Sequence, residues 1–354
     1  MLHKILIFVC LIHTCLAISH YDSATNEFMQ IMDRQPPYYK LLVDEFRPLV
    51  NNVPHTYKNQ LNAYIYDLTI PLNNDTTMLI RIIQPPGASD MLPVVFYFHG
   101  GGWMVGNQFT HDNIMRKIAI HVNVCVIYLD YPLAPKYKYP IAIDHSKLAI
   151  QYIINNAPFF NIDSNKIAIV GDSAGGNLAI IVTQQLEIPI SYIVLLFPVT
   201  DNSMTTNSYV EHEHNSYLPR KAMEMFYNSY VDRYYSYDQI ILFTILYEQL
   251  YLDVIESLSS RIQNQKIISP INYTNEQLSH FPPTLIITSE NDVLRDEGEQ
   301  FAHNLMKSEI DVVCVRFIGT IHDFINIDHF ADTSATQISF DMIIGGLKRA
   351  LCVV

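Results

Sequence analysis

The chain reads as an α/β protein built on a mostly parallel central sheet flanked by helices, and three observations predict it. Runs such as "LPVVFYFHG", "NVCVIYLDY", "KIAIV", "SYIVLLFPV", "PTLIITS" and "DVVCVRFIG" are apolar along most of their length instead of alternating, the pattern of strands buried on both faces. Stretches with helical spacing separate several of them, so strand and helix alternate along the chain. With 354 residues, 49% of them apolar and 16% charged, the chain can bury one large core.

The elements follow in order. "MLHKILIFVCLIHTCLAISHYDS" opens with Lys4, runs apolar from Ile5 to Leu16 around His13, and ends in Cys15-Leu16-Ala17. Those three features describe a signal peptide over residues 1–17, with residues 18–354 as the mature domain. The apolar run is shorter than the roughly 20 residues a spanning helix needs, so cleavage and export are expected, secreted or periplasmic; an uncleaved, lumenal signal anchor is the alternative. Residue 14, before Cys15, is Thr and not the small residue of a lipoprotein signal. Phe28, Ile31 and Met32, then Leu41, Leu42, Phe46 and Leu49, recur at helical spacing and predict two short helices divided at Pro36-Pro37. "AYIYDLTIPL" and "TMLIRIIQP", separated by Asn73-Asn74-Asp75, predict a hairpin.

Beyond the hairpin, helices are predicted over 141–155, 174–186, 296–307 and 333–350 between the apolar strands. Residues 203–268, rich in Tyr, Met and Asn, interrupt the alternation. They read as helices, including "DQIILFTILYEQLYLDVIESLSSRI", lying over one end of the sheet together with residues 20–55. Three cysteines lie outside the signal, Cys125, Cys314 and Cys352. Three cannot make a full disulfide framework, so buried free thiols are expected. Asn74-Asp75-Thr76 and Asn272-Tyr273-Thr274 match the N-glycosylation pattern, which has meaning only in a eukaryotic secretory pathway.

Lys and Arg number 22 against 35 Asp and Glu, a net charge of −13 with no basic block. A nucleic-acid partner is repelled by such a chain.

The chemistry-bearing stretch is "KIAIVGDSAGGN". Gly171-Asp172-Ser173-Ala174-Gly175 fits G-x-S-x-G, and an apolar strand precedes it while "NLAIIVTQQL" follows as a helix. A nucleophile elbow needs that context: a sharp strand-to-helix turn holds the serine in a strained backbone, and neighbours two residues away must lack side chains. The helix N-terminus then directs its free N–H groups at the reacting oxygen. A glycine-rich turn with a capping serine is the plain alternative.

Upstream, "FHGGGWMVG" places His99-Gly100-Gly101-Gly102 at the end of a buried strand, where side-chain-free backbone can present N–H groups to an oxyanion. Gly101, Gly102 and Ala174 are the candidate oxyanion hole. A serine needs a base and the base an orienting acid. His322 follows the last strand in "RFIGTIHDF", and Asp292 follows the preceding one in "ITSENDVLRDEG", so the order is Ser173, Asp292, His322, each after a strand. Glu290, Asp296 and Asp323 are the rival acids. Glu211-His212-Glu213-His214 has metal-ligand residue types but reads as a solvated loop, and the aromatics of 203–252 fit either an acyl pocket or cap packing.

Together "HGGGW", "DYPLAPKYKYP", "GDSAGGN", "FPPTLIITSENDVLRDEG" and "IHDF" resemble the hormone-sensitive lipase group of α/β-hydrolases, which includes bacterial esterases and arylacetamide deacetylases. The resemblance spans about residues 60–350. It implies the α/β-hydrolase fold with a helical cap, a serine carboxylic ester hydrolase acting on short- to medium-chain acyl esters, no cofactor, and triad roles for Ser173, Asp292 and His322. An amide-cleaving deacetylase is the alternative within the class, and a catalytically inactive binding protein the alternative outside it. Three departures stand out: Pro132 where the group often has Arg, Asp323 where Gly commonly follows the histidine, and a long insertion after "LLFPVTD".

Expression in a secretory host yields a chain beginning at Ile18, checked by intact mass and N-terminal sequencing; retention of Met1 in the exported protein contradicts the cleavage site.

Overall fold

The computed structural model describes residues 20–52, 60–88, 90–214, 216–231 and 268–353. The expected signal peptide and the expected helix over 238–262 lie outside the described residues. Strands β1 (Tyr64–Pro71), β2 (Thr77–Gln84), β3 (Leu92–Phe98), β4 (Cys125–Leu129), β5 (Ile162–Asp172), β6 (Tyr192–Leu196), β7 (Thr284–Asn291) and β8 (Val312–Ile321) form one sheet in the spatial order β1-β2-β4-β3-β5-β6-β7-β8. β1 and β2 pair as the expected hairpin, closed by the Leu72 N–H donating to the Thr76 carbonyl at 2.8 Å. β2 also runs antiparallel to β4, and from β4 to β8 every pairing is parallel.

Among the described residues the helices are α1 (Ser23–Met32), α2 (Val43–Asn51), α3 (Asp112–Ile118), α4 (Ile141–Asn155), α5 (Ala174–Gln185), α6 (Asn207–Glu211), α7 (Arg220–Tyr230), α8 (Asn275–Leu278), α9 (Arg295–Lys307) and α10 (Ser334–Ala350). None is long and apolar enough to cross a membrane. The sequence reading had not singled out α3. Its apolar positions Ile114, Met115 and Ile118 have helical spacing, and the helix supplies the crossover that a parallel β3–β4 pair demands. β5 starts earlier than "KIAIV" because Leu92 and Pro93 pair with Ile162 and Asp163 before an irregularity shifts the register to Val94 opposite Ile167.

The pleat explains why these strands are apolar throughout. In β3, Val94, Phe96 and Phe98 enter one core layer with residues of α4, α5 and α9. Val95 and Tyr97 enter the other, with residues of α3 and α10. Successive side chains thus point to opposite helical layers, and each fully buried aliphatic contributes about 1.5–3 kcal/mol. α5 is buried at every position from Ala174 to Thr183, which is why it reads as apolar on all sides. Cys125 is buried, Cys314 half-buried and Cys352 exposed, all as free thiols.

Because β3, β5, β7 and β8 run parallel, the segments after them leave the sheet at one edge, with β5 between β3 and β6. Phe96→Ala, which empties a fully buried ring site in β3, lowers unfolding free energy by about 3–5 kcal/mol, measured by urea denaturation; a loss below about 1 kcal/mol contradicts this account of the core.

Candidate active site

Ser173 sits between β5 and α5 with φ 53° and ψ −120°, a left-handed conformation costly for any residue with a side chain. The surroundings hold it there. Its N–H donates to the Leu196 carbonyl at 2.9 Å, and its carbonyl accepts from Val199 at 3.1 Å and Asn177 at 3.2 Å. A Cβ on Gly175 would stand 2.1 Å from the Phe98 carbonyl oxygen, and one on Gly171 would stand 2.5 Å from the Gly175 carbonyl oxygen, so only glycine lets the three segments meet. The Ser173 hydroxyl makes no capping bond to α5. It lies 2.9 Å from His322 Nε2 instead, which disposes of the capping-serine alternative.

His322 follows β8, and its Nδ1 lies 2.7 Å from Asp292 Oδ2. Asp292 follows β7 and is oriented by the Leu294 N–H, which donates to Oδ1 at 3.0 Å. Ser173, His322 and Asp292 are 5%, 3% and 1% exposed, so the whole chain of bonds is shielded from bulk water. The rival acids are occupied elsewhere. Glu290 accepts from the Gly319 N–H, Asp296 from Ser208 and Arg295, and Asp323 from the Asn326 side chain.

Burial pulls the His322 imidazole down, but the charges of Asp292 and then Asp323, with the Asp292 hydrogen bond, outweigh it and raise the pKa to about 9. Asp323 has φ 65°, where glycine is the favoured residue. Its backbone carbonyl takes the Asn326 and Ile327 N–H groups and its half-buried carboxylate takes the Asn326 side chain, closing the following turn, and the same carboxylate's charge favours the His322 imidazolium.

The glycine loop after β3 lies against this elbow. Gly101 and Gly102 have φ 104° and 59°, and the Gly101 carbonyl accepts from Met104 and Val105 at 3.0 Å. Among the described residues no hydrogen bond uses the N–H groups of Gly101, Gly102 or Ala174. A Cβ on Gly102 would stand 2.2 Å from the Phe226 ring of α7, so α7 rests directly on the loop. His99 is no second base: burial first, then the charge of His111, lowers its pKa to about 3, and it stacks on Tyr131 at 4.3 Å.

Two residues given no role by the sequence, Asp172 and Arg47, hold this loop. Asp172, inside the pentapeptide, accepts from Gly100 and Tyr97 and pairs with His111. Arg47 of α2 donates to the carbonyls of Met104 and Ala134, both at 2.8 Å, and ties the N-terminal helices to the loop. Only Asp172 carried a local signal, a charged residue amid small ones. Glu211 and His212, expected in a solvated loop, meet Arg295 instead, and His212 is 5% exposed. No group able to hold a metal ion occurs among the described residues. Tyr209, Tyr227 and Tyr230 are fully buried, with Tyr230 stacked on Trp103 at 4.5 Å, so these three aromatics serve packing.

Residues 95–326 match the sequence model of a family described as the alpha/beta hydrolase fold. The chain is 34% identical over 338 residues, 93% of this chain and 88% of the relative, to a protein named as an alpha/beta hydrolase, R526, of Acanthamoeba polyphaga mimivirus. It is 30% identical over 291 residues, 81% of this chain and 83% of the relative, to the carboxylesterase NlhH of Mycobacterium tuberculosis. Its fold is similar to the crystal structure of a thermostable esterase from Pseudomonas putida ECU1011, with a TM-score of 0.82, 26% identity, and coverage of 94% of this chain and 98% of that one.

Asp323→Gly removes a negative charge that favours the imidazolium, so the acid limb of the kcat/KM profile moves to lower pH by about half a unit. Burial weakens the screening of this effect by salt. A limb that stays in place or moves up removes Asp323 from this account.

Proposed function

This chain belongs to the alpha/beta-hydrolase fold family, in its hormone-sensitive-lipase-like group, and from that premise we propose that it is an exported serine carboxylic ester hydrolase acting on short- to medium-chain acyl esters. The observation that carries the reading is the bonded series from Ser173 Oγ to His322 Nε2 at 2.9 Å and from His322 Nδ1 to Asp292 at 2.7 Å, on a strained elbow.

In this reading Ser173 Oγ attacks the ester carbonyl carbon while His322 Nε2 takes its proton. Asp292 keeps the other ring proton on Nδ1 and stabilises the imidazolium. The carbonyl oxygen gains negative charge and is met by the N–H groups of Gly101, Gly102 and Ala174, which need no reorganisation because their backbone is already held. The carbon–oxygen bond to the alcohol breaks, His322 returns the proton to the leaving oxygen, and an acyl-Ser173 ester remains. Water, deprotonated by His322, attacks that ester; the acid leaves and Ser173 recovers its hydrogen.

Phe226 packed over Gly102 supports a limited acyl length, since the cap closes down on the loop beside the reacting carbonyl. The run from Lys4 to Ala17 supports export.

A fluorophosphonate probe labels the wild type, with the adduct mapped by peptide mass to Ser173. Ser173→Ala abolishes labelling and lowers ester turnover by about 10³-fold or more. Asp292→Asn lowers kcat on the order of 10⁴-fold with the fold retained, because the amide favours the wrong imidazole tautomer. Hydrolysis surviving in Ser173→Ala above a few per cent, or a Glu290→Gln variant more damaging than Asp292→Asn, overturns the assignment.

A further inference from the structure

Asp172 puts a carboxylate one residue before the nucleophile, at zero exposure. An ionised carboxylate persists in such a place only with donors to replace water. Three are present: the Tyr97 hydroxyl at 2.7 Å on Oδ1, and on Oδ2 the Gly100 N–H at 2.9 Å and His111 Nε2 at 3.2 Å. A Cβ on Gly100 would fall 2.2 Å from Asp172 Oδ2, so the loop backbone lies directly on the carboxylate.

His111 is 7% exposed. Its Nδ1 is 2.8 Å from Thr110 Oγ1, whose hydrogen has the Asn107 carbonyl as acceptor at 2.8 Å, an arrangement in which Nδ1 donates. With Nε2 donating to Asp172 as well, that arrangement makes the ring an imidazolium. The charges agree with the geometry. Burial disfavours both charged forms, but the pair outweighs it, raising His111 and lowering Asp172. The other groups facing the pair are the Tyr97 hydroxyl, His99, held neutral, and Asp323, whose charge also favours the His111 cation.

The same peptide units are gripped from the other side. His99 Nδ1 lies 2.7 Å from the Gly100 carbonyl, and the Tyr131 hydroxyl donates to the His99 carbonyl at 2.6 Å. The peptide group is planar, so a hydrogen bond on the Gly100 carbonyl sets the direction of the Gly101 N–H in the same plane. Asp172 pins the peptide before it, and His99 pins the peptide after. The oxyanion loop has three glycines in a row and no side chains of its own to hold it, which makes these external grips necessary.

We propose that Asp172 and His111 are positioning residues for ester hydrolysis: the buried carboxylate, held by the His111 cation, fixes Gly100 so that the Gly101 and Gly102 N–H groups aim at the reacting carbonyl oxygen. The proposal rests on the serine-hydrolase reading given above. It assigns Asp172 a role through the backbone, without contact with substrate.

The test compares binding of two acyl-chain-matched ligands, a trifluoromethyl ketone, which becomes an oxyanion on Ser173, and the corresponding secondary alcohol, which does not. Asp172→Asn lowers kcat and trifluoromethyl-ketone affinity together by about 10²-fold, and leaves KM and alcohol affinity within about threefold. His111→Gln, which keeps a neutral donor, recovers part of what His111→Ala loses. In the wild type, ¹⁵N spectra of labelled histidine show His111 protonated on both nitrogens at pH 7, a readout that stands even where a variant fails to fold. A folded Asp172→Asn with kcat within threefold, equal losses for ketone and alcohol, or a neutral His111 at pH 7 overturns the proposal. Absence of fluorophosphonate labelling in the wild type is a separate outcome that overturns the serine-hydrolase reading and this proposal with it.

Discussion

The architecture turns on a backbone that has to reverse from strand to helix within one residue while carrying a side chain. At Ser173 a positive φ is held by its bonds with Leu196, the last residue of β6, and Val199 just after it, and by the first turn of α5. The turn can form only if the glycines on either side let the Phe98 and His99 carbonyls come within what would be a side chain's radius. Strain at one residue is thus maintained by packing from β3, β5 and β6, the middle of the sheet, where the core is most completely buried. Parallel pairing does the rest. It brings the ends of β3, β7 and β8 to the same edge, so glycine loop, acid and base arrive around the serine without any segment having to cross the sheet.

Charge is placed around this turn with unusual economy. Two carboxylate–imidazole pairs flank Ser173, Asp292 with His322 and Asp172 with His111. They differ in what the second ring nitrogen meets. In His322 it faces a hydroxyl that can supply or take a proton. In His111 it faces a threonine oxygen whose hydrogen is committed elsewhere. In the proposed mechanism the first ring cycles between protonation states, while the second stays a fixed cation. The negative charge of Asp323 favours the protonated form of both rings.

The N-terminal helices and α7 belong to the site as much as the sheet does. Arg47 spans from α2 to the Met104 and Ala134 carbonyls, and Phe226 from α7 covers Gly102. Tyr38 stacks on Phe46 at 5.2 Å, and Phe46 in turn meets Phe226 at 6.3 Å, so the N-terminal segment and α7 bear on each other beside the glycine loop. Arg295 gives a second anchor, joining Glu211 of α6 to the segment that carries Asp292.

What the sequence determined by itself is whatever repeats with a local period or sits within a few residues of its partner. Fully apolar strands announced a sheet covered on both faces, helices fell within a residue or so of where their spacing put them, and Ser173, Gly101 and Gly102 were legible because turn chemistry is local. Even α3 had its signal in Ile114, Met115 and Ile118, masked by the glycine loop before it. The order of strand ends favoured Asp292 among four acids alike in type and near in sequence, but only the tertiary structure brings its carboxylate to His322 and engages Glu290, Asp296 and Asp323 elsewhere. The Ser173–His322 bond spans 149 positions and the Asp172–His111 pair 61, separations at which no spacing rule operates. Such contacts depend on where the folded sheet and its loops place side chains in space, which is why Asp172 read as part of a motif until the structure gave it a partner.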